Sequence, residues 1–199
     1  MGVIEMSIIL AYKKGDKVYM ATDTAVTANG YLIRETSEDN FKIRKSPDGI
    51  LVGVTGERGL RQEIFRLIDE FTLDKNGNLT KKHIASEIVP KLYFHLMDNE
   101  MLEKPDDNVP YMKASVLIAF KDQIFDICND FSVYRYMTYQ THGEASDFIS
   151  YALAHVDNTK DIDEQMIKIM QLAEKHCKNI GRPFVTINTE DISFRLWED

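Results

Sequence analysis

The sequence contains few cysteines, few prolines and no long apolar run, and each shortage excludes a class of protein. Its 199 residues include 2 cysteines and 5 prolines. Because two cysteines, Cys128 and Cys177, are too few for a disulfide framework, we expect a reducing compartment. No apolar run approaches the roughly 20 residues that span a bilayer, so no membrane partner is predicted. These features together predict a cytoplasmic protein.

Positive charge is scarce as well. The chain has 24 Lys and Arg residues against 32 Asp and Glu residues, a formal net charge of -8. Proteins that bind nucleic acid through its phosphates carry a basic surface, so no nucleic-acid partner is predicted. The five histidines lack the spacing of metal ligands, and we predict neither a metal nor a cofactor. The length is sufficient for one well-buried domain.

Apolar patterning divides the chain into blocks of strands and blocks of helices. Short apolar, β-branched runs bounded by turn signals predict strands, and apolar residues three and four apart predict helices. Predicted strands cover residues 7–12, 17–22, 31–34, 41–45, 50–55, 113–120, 123–128, 132–139, 184–188 and 192–197. Predicted helices cover residues 60–71, 80–96, 144–156 and 162–178.

Two residues in the second predicted helix carry local signals. Thr80 is a plausible N-cap, and Pro90 predicts a kink or an early break. The block order as a whole argues against a doubly wound parallel sheet, which requires alternating strands and helices. It favours an α+β fold with two antiparallel sheets between two layers of helices.

Four segments in the first third carry a family resemblance when they are taken in order. They are Met20-Ala-Thr-Asp23, Val26-Thr27, Lys42-Ile-Arg-Lys45 and the apolar run from Ile50 that ends in Gly53-Val-Thr-Gly56. This set resembles proteasome β subunits and the bacterial ATP-dependent protease subunit of the same fold. The resemblance implies a four-layer αββα sandwich of the N-terminal-nucleophile (Ntn) hydrolase superfamily. It covers the whole chain as architecture but only about residues 7–60 as motifs.

The resemblance also implies a set of site residues. Ser7 stands where the family has its N-terminal threonine, which makes it the implied nucleophile. Asp23 and Lys42 match the family's buried acid and lysine, and Gly53 is the implied backbone donor to the oxyanion. Thr141 falls near the family's serine in a Gly-Ser-Gly-type turn.

The implied chemistry requires a free amine at Ser7. A hydroxyl is a poor nucleophile until a base takes its proton, and an α-amino group with a pKa of roughly 7.7–8 can be that base. An amide nitrogen has no such basicity. Residues 1–6 are therefore predicted to be a leader or propeptide, followed by one domain over residues 7–199. Translation from Met6 with removal of that methionine would expose Ser7 equally well.

Three functions remain open at this stage. The first is a peptidase subunit that hydrolyses peptides or proteins, with Ser7 as nucleophile. The second is a catalytically silent structural subunit that retains its leader, and the third is a small-molecule amidase of the wider Ntn class. The resemblance also implies self-association into a ring or other homo-oligomer and makes an ATPase partner plausible.

Overall fold

The fold is built on two five-stranded antiparallel sheets. A computed structural model describes residues 7–28, 31–34, 36–104 and 109–198. The first sheet has the strand order β10-β1-β2-β11-β12. Its strands are β1 Ile8–Lys14, β2 Lys17–Asp23, β10 Tyr139–Gly143, β11 Phe184–Asn188 and β12 Arg195–Trp197.

The second sheet has the strand order β5-β6-β7-β8-β9. Its strands are β5 Ile43–Lys45, β6 Leu51–Gly56, β7 Ala114–Phe120, β8 Gln123–Ile127 and β9 Val133–Tyr136. A separate two-stranded ribbon joins β3 Ala25–Ala28 to β4 Tyr31–Arg34, between β2 and β5 in the chain. Strand β3 was not predicted from the sequence.

Helices cover the outer face of each sheet. They are α1 Arg58–Arg66, α2 Lys81–His83, α3 Val89–Asp98, α4 Ser146–Leu153 and α5 Ile162–His176. Alternate residues of β1 point to opposite faces, as the period of a strand requires. Ile8 packs against α4 and α5, whereas Ile9 packs between the two sheets against Leu117 of β7. The predicted α+β sandwich with four layers is confirmed.

Pro90 does not break its helix. Thr80 is the N-cap, and its hydroxyl accepts the His83 N–H at 3.1 Å, as predicted. A π-helical turn over Ile84–Ile88 then leads into α3, where Pro90 stands near the N-terminus. The Val89 N–H donates to the Ile84 carbonyl five residues earlier, so the α-helical pattern is interrupted directly before Pro90. The predicted break is wrong, because the backbone stays helical to Asp98, and the predicted kink stays a prediction.

The predicted strand over residues 132–139 is two strands in two different sheets. Strand β9 ends at Tyr136 at the edge of the second sheet, and β10 begins at Tyr139 at the edge of the first. The two residues between them carry the chain across, and the Thr138 carbonyl accepts the Lys13 N–H at 2.7 Å. Both halves are β-rich, so the apolar pattern alone contains no signal for the crossing.

Within the described residues, no helix combines the length and the apolarity that crossing a bilayer would need. The predicted leader, residues 1–6, lies outside the described residues.

A substitution of Gly143 tests how tightly β10 is packed against the start of β1. Its φ of +118° is a conformation that other residues rarely adopt, and an added Cβ would overlap the Ser7 carbonyl oxygen. We expect Gly143→Ala to lower the free energy of unfolding by at least about 2 kcal/mol, measured by urea denaturation.

Gly15→Ala is the matched control for this substitution. Gly15 has a φ of +64° and open space around its missing Cβ, so the substitution should cost about 1 kcal/mol. Equal losses for the two variants would mean that the contact with Ser7 contributes nothing beyond backbone strain.

Candidate active site

A buried ion pair lies at the centre of the candidate site. The Nζ atom of Lys42 donates to Asp23 Oδ1 at 2.6 Å and to the Ala25 carbonyl at 2.7 Å. The Lys42 side chain is 1% exposed and that of Asp23 is 0% exposed. A buried charge is costly unless it is paired and hydrogen-bonded, and this lysine is both.

The pair connects the two sheets. Asp23 is the last residue of β2 in the first sheet, and Lys42 directly precedes β5 in the second. Phe41 and Ile43 on either side of the lysine are buried as well, which carries the ammonium group into the interior. The tertiary structure thus buries one lysine of a stretch that contains two further basic residues, Arg44 and Lys45.

Ser7 lies beside the pair. The N–H of the next residue, Ile8, donates to the same Asp23 Oδ1 at 3.1 Å. Ser7 is two residues before Ile9, so its side chain lies on the face of β1 that points toward the second sheet. The structure therefore brings together three of the five predicted site residues: Ser7, Asp23 and Lys42.

Burial dominates the electrostatics of Asp23. Loss of solvent raises the pKa of its carboxyl group above the ordinary value of an aspartate, while the Lys42 ammonium and the N–H groups of Ile8 and Gly181 act in the opposite direction. These donors stabilise the ionised form that a charged lysine needs as its partner.

Gly53 lies inside the second sheet, where packing explains the glycine. It stands opposite Ile43 on one side and Leu117 on the other. A Cβ at this position would lie 3.0 Å from side-chain atoms of Ile9 and Met20 in the first sheet. The absent side chain allows the two sheets to approach, which is a structural reason for glycine here.

The N–H direction of Gly53 does not favour the predicted contact with substrate. Successive N–H groups of an antiparallel strand point to alternate neighbours. The Val54 N–H donates toward β5, to the Lys42 carbonyl at 2.9 Å, so that of Gly53 points toward β7. The Gly56 N–H points to the same side of β6 as the Val54 N–H, because the two residues are two positions apart. Gly56 is the last residue of the strand and has a φ of +112°. Sequence reasoning missed Gly56, although it is the second glycine of the quoted Gly53-Val-Thr-Gly56 segment.

Thr141 lies within β10 rather than in a turn. It pairs with Leu10, and its hydroxyl donates to the Ile9 carbonyl at 3.0 Å. The residue after β10, Glu144, forms the hydrogen bond with Ser7, because its N–H donates to the Ser7 carbonyl at 3.1 Å. The loose alignment at Thr141 therefore falls three residues short of the contact with Ser7.

Glu144 is held by a polar residue from another element. Its Oε2 atom accepts from Nδ2 of Asn179 at 3.1 Å, and Asn179 is buried in the segment after α5. The same segment continues to Gly181, whose N–H faces Asp23. The segment after α5 thus borders the site, and no motif in the sequence indicated this.

A second pair of polar side chains, His142 and Asp126, also joins the two sheets. His142 stands opposite Ile9, and its Nε2 is 2.9 Å from Asp126 Oδ2 on β8 of the other sheet. Asp126 is buried, and Gln140 Nε2 donates to the same carboxylate oxygen at 3.3 Å. The structure therefore places the His142 side chain between the two sheets.

Hydrogen bonds hold the Ser7–Ile8 peptide group on both sides, since its N–H donates to Asp23 and its carbonyl accepts from the Glu144 N–H. The buried ammonium group of Lys42 binds the same oxygen of Asp23. In the part of the chain that the structure describes, no three His, Cys, Asp or Glu side chains cluster as metal ligands would. Whether the Ser7 hydroxyl can act as a nucleophile depends on whether the Ser7 nitrogen is a free amine or part of a peptide bond.

Lys42→Met tests the ion pair. Removal of one partner leaves the buried Asp23 uncompensated, so the free energy of unfolding should fall by about 3–5 kcal/mol in chemical denaturation. Lys91→Met is the control, because Lys91 and Glu70 form a pair of similar length, 2.7 Å, whose side chains are 45% and 51% exposed. The control should lose less than about 1 kcal/mol. A comparable loss in both variants would contradict the importance of burial.

The pH dependence of the Lys42→Met variant gives a further prediction. Between the ordinary pKa of an aspartate and the raised pKa of Asp23, the folded state binds more protons than the unfolded state. The free energy of unfolding therefore falls as pH rises through that window. Without Lys42 to oppose burial, this fall should be steeper than in the unmodified protein when both are unfolded in urea from about pH 4 upward. A shallower slope in the variant would contradict the prediction.

Comparisons with known proteins agree with this architecture. No protein-family model and no curated protein matches the sequence. Among solved structures, BPH from Thiobacillus denitrificans is similar with a TM-score of 0.72 at 20% sequence identity, over 91% of this chain and 96% of that one. Anbu (ancestral beta-subunit) from Yersinia bercovieri is similar with a TM-score of 0.70 at 10% identity, over 96% of this chain and 87% of the other.

Anbu from Hyphomicrobium sp. strain MC1 is similar with a TM-score of 0.67 at 13% identity, over 96% of this chain and 87% of the other. At such identities a likeness shows the fold alone. Together with the two packed five-stranded sheets, it shows that the chain has the same αββα sandwich fold as these solved structures.

Proposed function

We propose that the protein is a proteasome-like Ntn peptidase subunit whose nucleophile is Ser7. The observation that carries the proposal is the buried Lys42–Asp23 pair, which is anchored to the residue next to Ser7 through the Ile8 N–H. The fold supports the proposal as well, since its first strand begins directly after Ser7. The Met6–Ser7 peptide bond must be broken for this activity.

The reaction begins with proton transfer within one residue. The free α-amine of Ser7 takes the hydroxyl proton, and the oxygen attacks the carbonyl carbon of the scissile peptide bond. The protonated amine then gives the proton to the leaving nitrogen, which leaves an ester between the substrate acyl group and Ser7. Water attacks this ester with the amine again as base, and the acid product and the free hydroxyl are released.

Lys42 assists electrostatically. Its ammonium group binds the same Asp23 oxygen as the Ile8 N–H, and a positive charge so close to Ser7 favours the ionised hydroxyl and lowers the proton affinity of a neighbouring amine. Asp23 holds the lysine charged and in place. The tetrahedral oxyanion needs a backbone donor, and the orientation of Gly56 at the end of β6 favours it over Gly53. One such donor is typically worth about 2.7–4 kcal/mol.

We propose self-association into a ring or another homo-oligomer, with a peptide or protein as substrate and an ATPase as a possible partner. One structural neighbour is described as an ancestral beta-subunit, a name that implies assembly of that protein. Exposed apolar side chains on α3, Phe94 at 56% and Met97 at 36%, offer surface for such contacts.

A silent structural subunit is the second candidate, and a sequence feature favours it. Met6 precedes Ser7, and while that peptide bond is intact the Ser7 nitrogen is an amide without basicity. Fold and assembly would be unchanged in such a subunit.

The decisive experiment compares two N-termini. A chain that begins at Ser7 should hydrolyse fluorogenic peptides, and the chain that begins at Met1 should not. Ser7→Ala in the shorter chain should lower kcat by about a thousandfold or more without changing its elution in size-exclusion chromatography. Ser7→Thr keeps the hydroxyl and should retain activity, which makes it the matched control. Absence of turnover in the chain that begins at Ser7 would favour the silent subunit, and hydrolysis of simple amides without cleavage of peptides would favour a small-molecule amidase.

Covalent labelling tests the same proposal without a chosen substrate. BPH from Thiobacillus denitrificans has been solved in complex with epoxomicin. A peptide probe with an epoxide next to a ketone has two electrophilic carbons. A free hydroxyl and a free amine on one residue can react with both carbons. We expect mass spectrometry to place the adduct on Ser7 of the shorter chain and to find none on its Ser7→Ala variant. An adduct on another residue would contradict the assignment of the nucleophile.

A further inference from the structure

Strand β1, which begins directly after Ser7, lies between two strands that are each joined to the second sheet by a pair of polar side chains. Its neighbours in the first sheet are β2 and β10. On the β2 side, Asp23 pairs with Lys42, which directly precedes β5. On the β10 side, Nε2 of His142 lies 2.9 Å from Oδ2 of Asp126 on β8. The proposed function uses the first of these pairs and gives the second no role.

The second pair connects β10 to β8 at more than one point. Asp126 is buried, and His142 is partly buried beside it. Gln140, two positions before His142 on β10, donates from Nε2 to the same Asp126 Oδ2 at 3.3 Å. A buried carboxylate is costly unless donors surround it, so Asp126 favours a position of β10 that keeps both side chains in reach.

Strand β10 depends on such a link because it is the edge strand of the first sheet. Within the described residues, β1 is the only strand that pairs with it. An edge strand has ladder hydrogen bonds on one side only, so contacts of its side chains with the facing sheet contribute more to holding it. The Asp126 carboxylate supplies that contact from the second sheet.

The residues directly after His142 hold the backbone of Ser7. Gly143 stands opposite Ile8, and an added Cβ on it would overlap the Ser7 carbonyl oxygen. The Glu144 N–H donates to the same carbonyl at 3.1 Å. Only two residues of backbone separate His142 from this hydrogen bond. A displacement of His142 would therefore be transmitted to the Ser7 carbonyl.

We propose that His142 and Asp126 are positioning residues for the Ser7 nucleophile. The pair holds the end of β10 against the second sheet, and the Glu144 N–H passes this restraint on to the Ser7 carbonyl. Because Lys42 directly precedes a strand of the second sheet, the pair also fixes the nucleophile relative to the ammonium group that assists it. This inference rests on the proposed peptidase function and adds two residues that act through the backbone.

The kinetic test uses the chain that begins at Ser7 and a fluorogenic peptide. His142→Ala should lower kcat about 10- to 100-fold, as expected when a reacting group is misplaced by about 1 Å. KM should change less than about twofold, because no contact with bound substrate is lost. His142→Gln keeps an N–H donor of similar reach and should retain most of the activity. An equal loss in the alanine and glutamine variants would mean that the imidazole itself is needed, and the positioning role would be wrong.

Asp126→Ala removes the other end of the link without leaving a buried charge uncompensated. It carries the kinetic test if His142→Ala fails to fold. It should lower kcat as much as His142→Ala does, and the double variant should lose no more than either single variant, because each removes the same link. Losses that multiply in the double variant would show that the two residues act independently, which contradicts the proposal.

His95→Ala is the matched control for the loss of a histidine–carboxylate pair. Nε2 of His95 on α3 lies 3.1 Å from Oε2 of Glu63 on α1. Both helices pack on the face of the second sheet that points away from the first. The control variant should keep the kcat of the unmodified chain. If His95→Ala and His142→Ala lowered kcat equally, general destabilisation would explain both, and the proposal would fail.

Hydrogen exchange separates this inference from the proposed function, because it requires no turnover. In the chain that begins at Met1, the Glu144 N–H should exchange about tenfold faster in His142→Ala than in the unmodified protein. Mass spectrometry of peptides that contain residue 144 measures this rate, and His95→Ala should leave it unchanged. Faster exchange confined to His142→Ala supports the link even if the chain cleaves nothing. Unchanged exchange overturns the link and leaves the peptidase proposal intact.

Discussion

The ion pair between Lys42 and Asp23 is the interaction on which the site depends. Its two members come from different sheets, so the pair forms only when the sandwich is assembled. Neither member would be stable in the interior alone, because an unpaired buried charge costs several kcal/mol. The Ile8 N–H and the Ala25 carbonyl complete the network, which ties the start of β1 to the start of β5. A hydroxyl placed beside this network experiences a fixed positive charge in a place that excludes water.

The backbone around Ser7 is constrained from the opposite side by β10 and the residue after it. The Gly143 backbone lies so close to the Ser7 carbonyl that an added Cβ would overlap it, and the Glu144 N–H donates to the same carbonyl. This close approach requires a residue without a Cβ. The site is thus held between a network of charged side chains on one side and a tight backbone contact on the other. Such double constraint limits the positions that the side chain of Ser7 can adopt.

The chain reaches this arrangement by crossing between sheets. After β9 ends at one sheet edge, two residues lead into β10 at the edge of the other sheet. Helix α4 follows directly after β10. The contact of the Glu144 N–H with the Ser7 carbonyl therefore depends on the position at which β10 ends.

The architecture was readable from the sequence because it depends on local patterns. Strand and helix periodicity and the order of their blocks required no knowledge of distant contacts, and the motifs that contain Ser7, Asp23 and Lys42 occupy consecutive segments of the first third. The N–H direction of Gly56 and the contact of Glu144 with Ser7 were missed, because they depend on strand register and on a residue 137 positions away. The break predicted at Pro90 does not occur, because a π-helical turn precedes the proline and the backbone stays helical through it.

The sequence by itself thus determined the layers, the chain order and which polar residues are available for chemistry, since these follow from local spacing and from the burial that apolar residues require. The tertiary structure alone decided which of those residues meet. Lysine is normally a surface residue, and Lys42 can be buried because Asp23, from the other sheet, forms an ion pair with it. Contacts between distant segments form because they lower the free energy of the whole folded core. A short stretch of sequence carries no information about them.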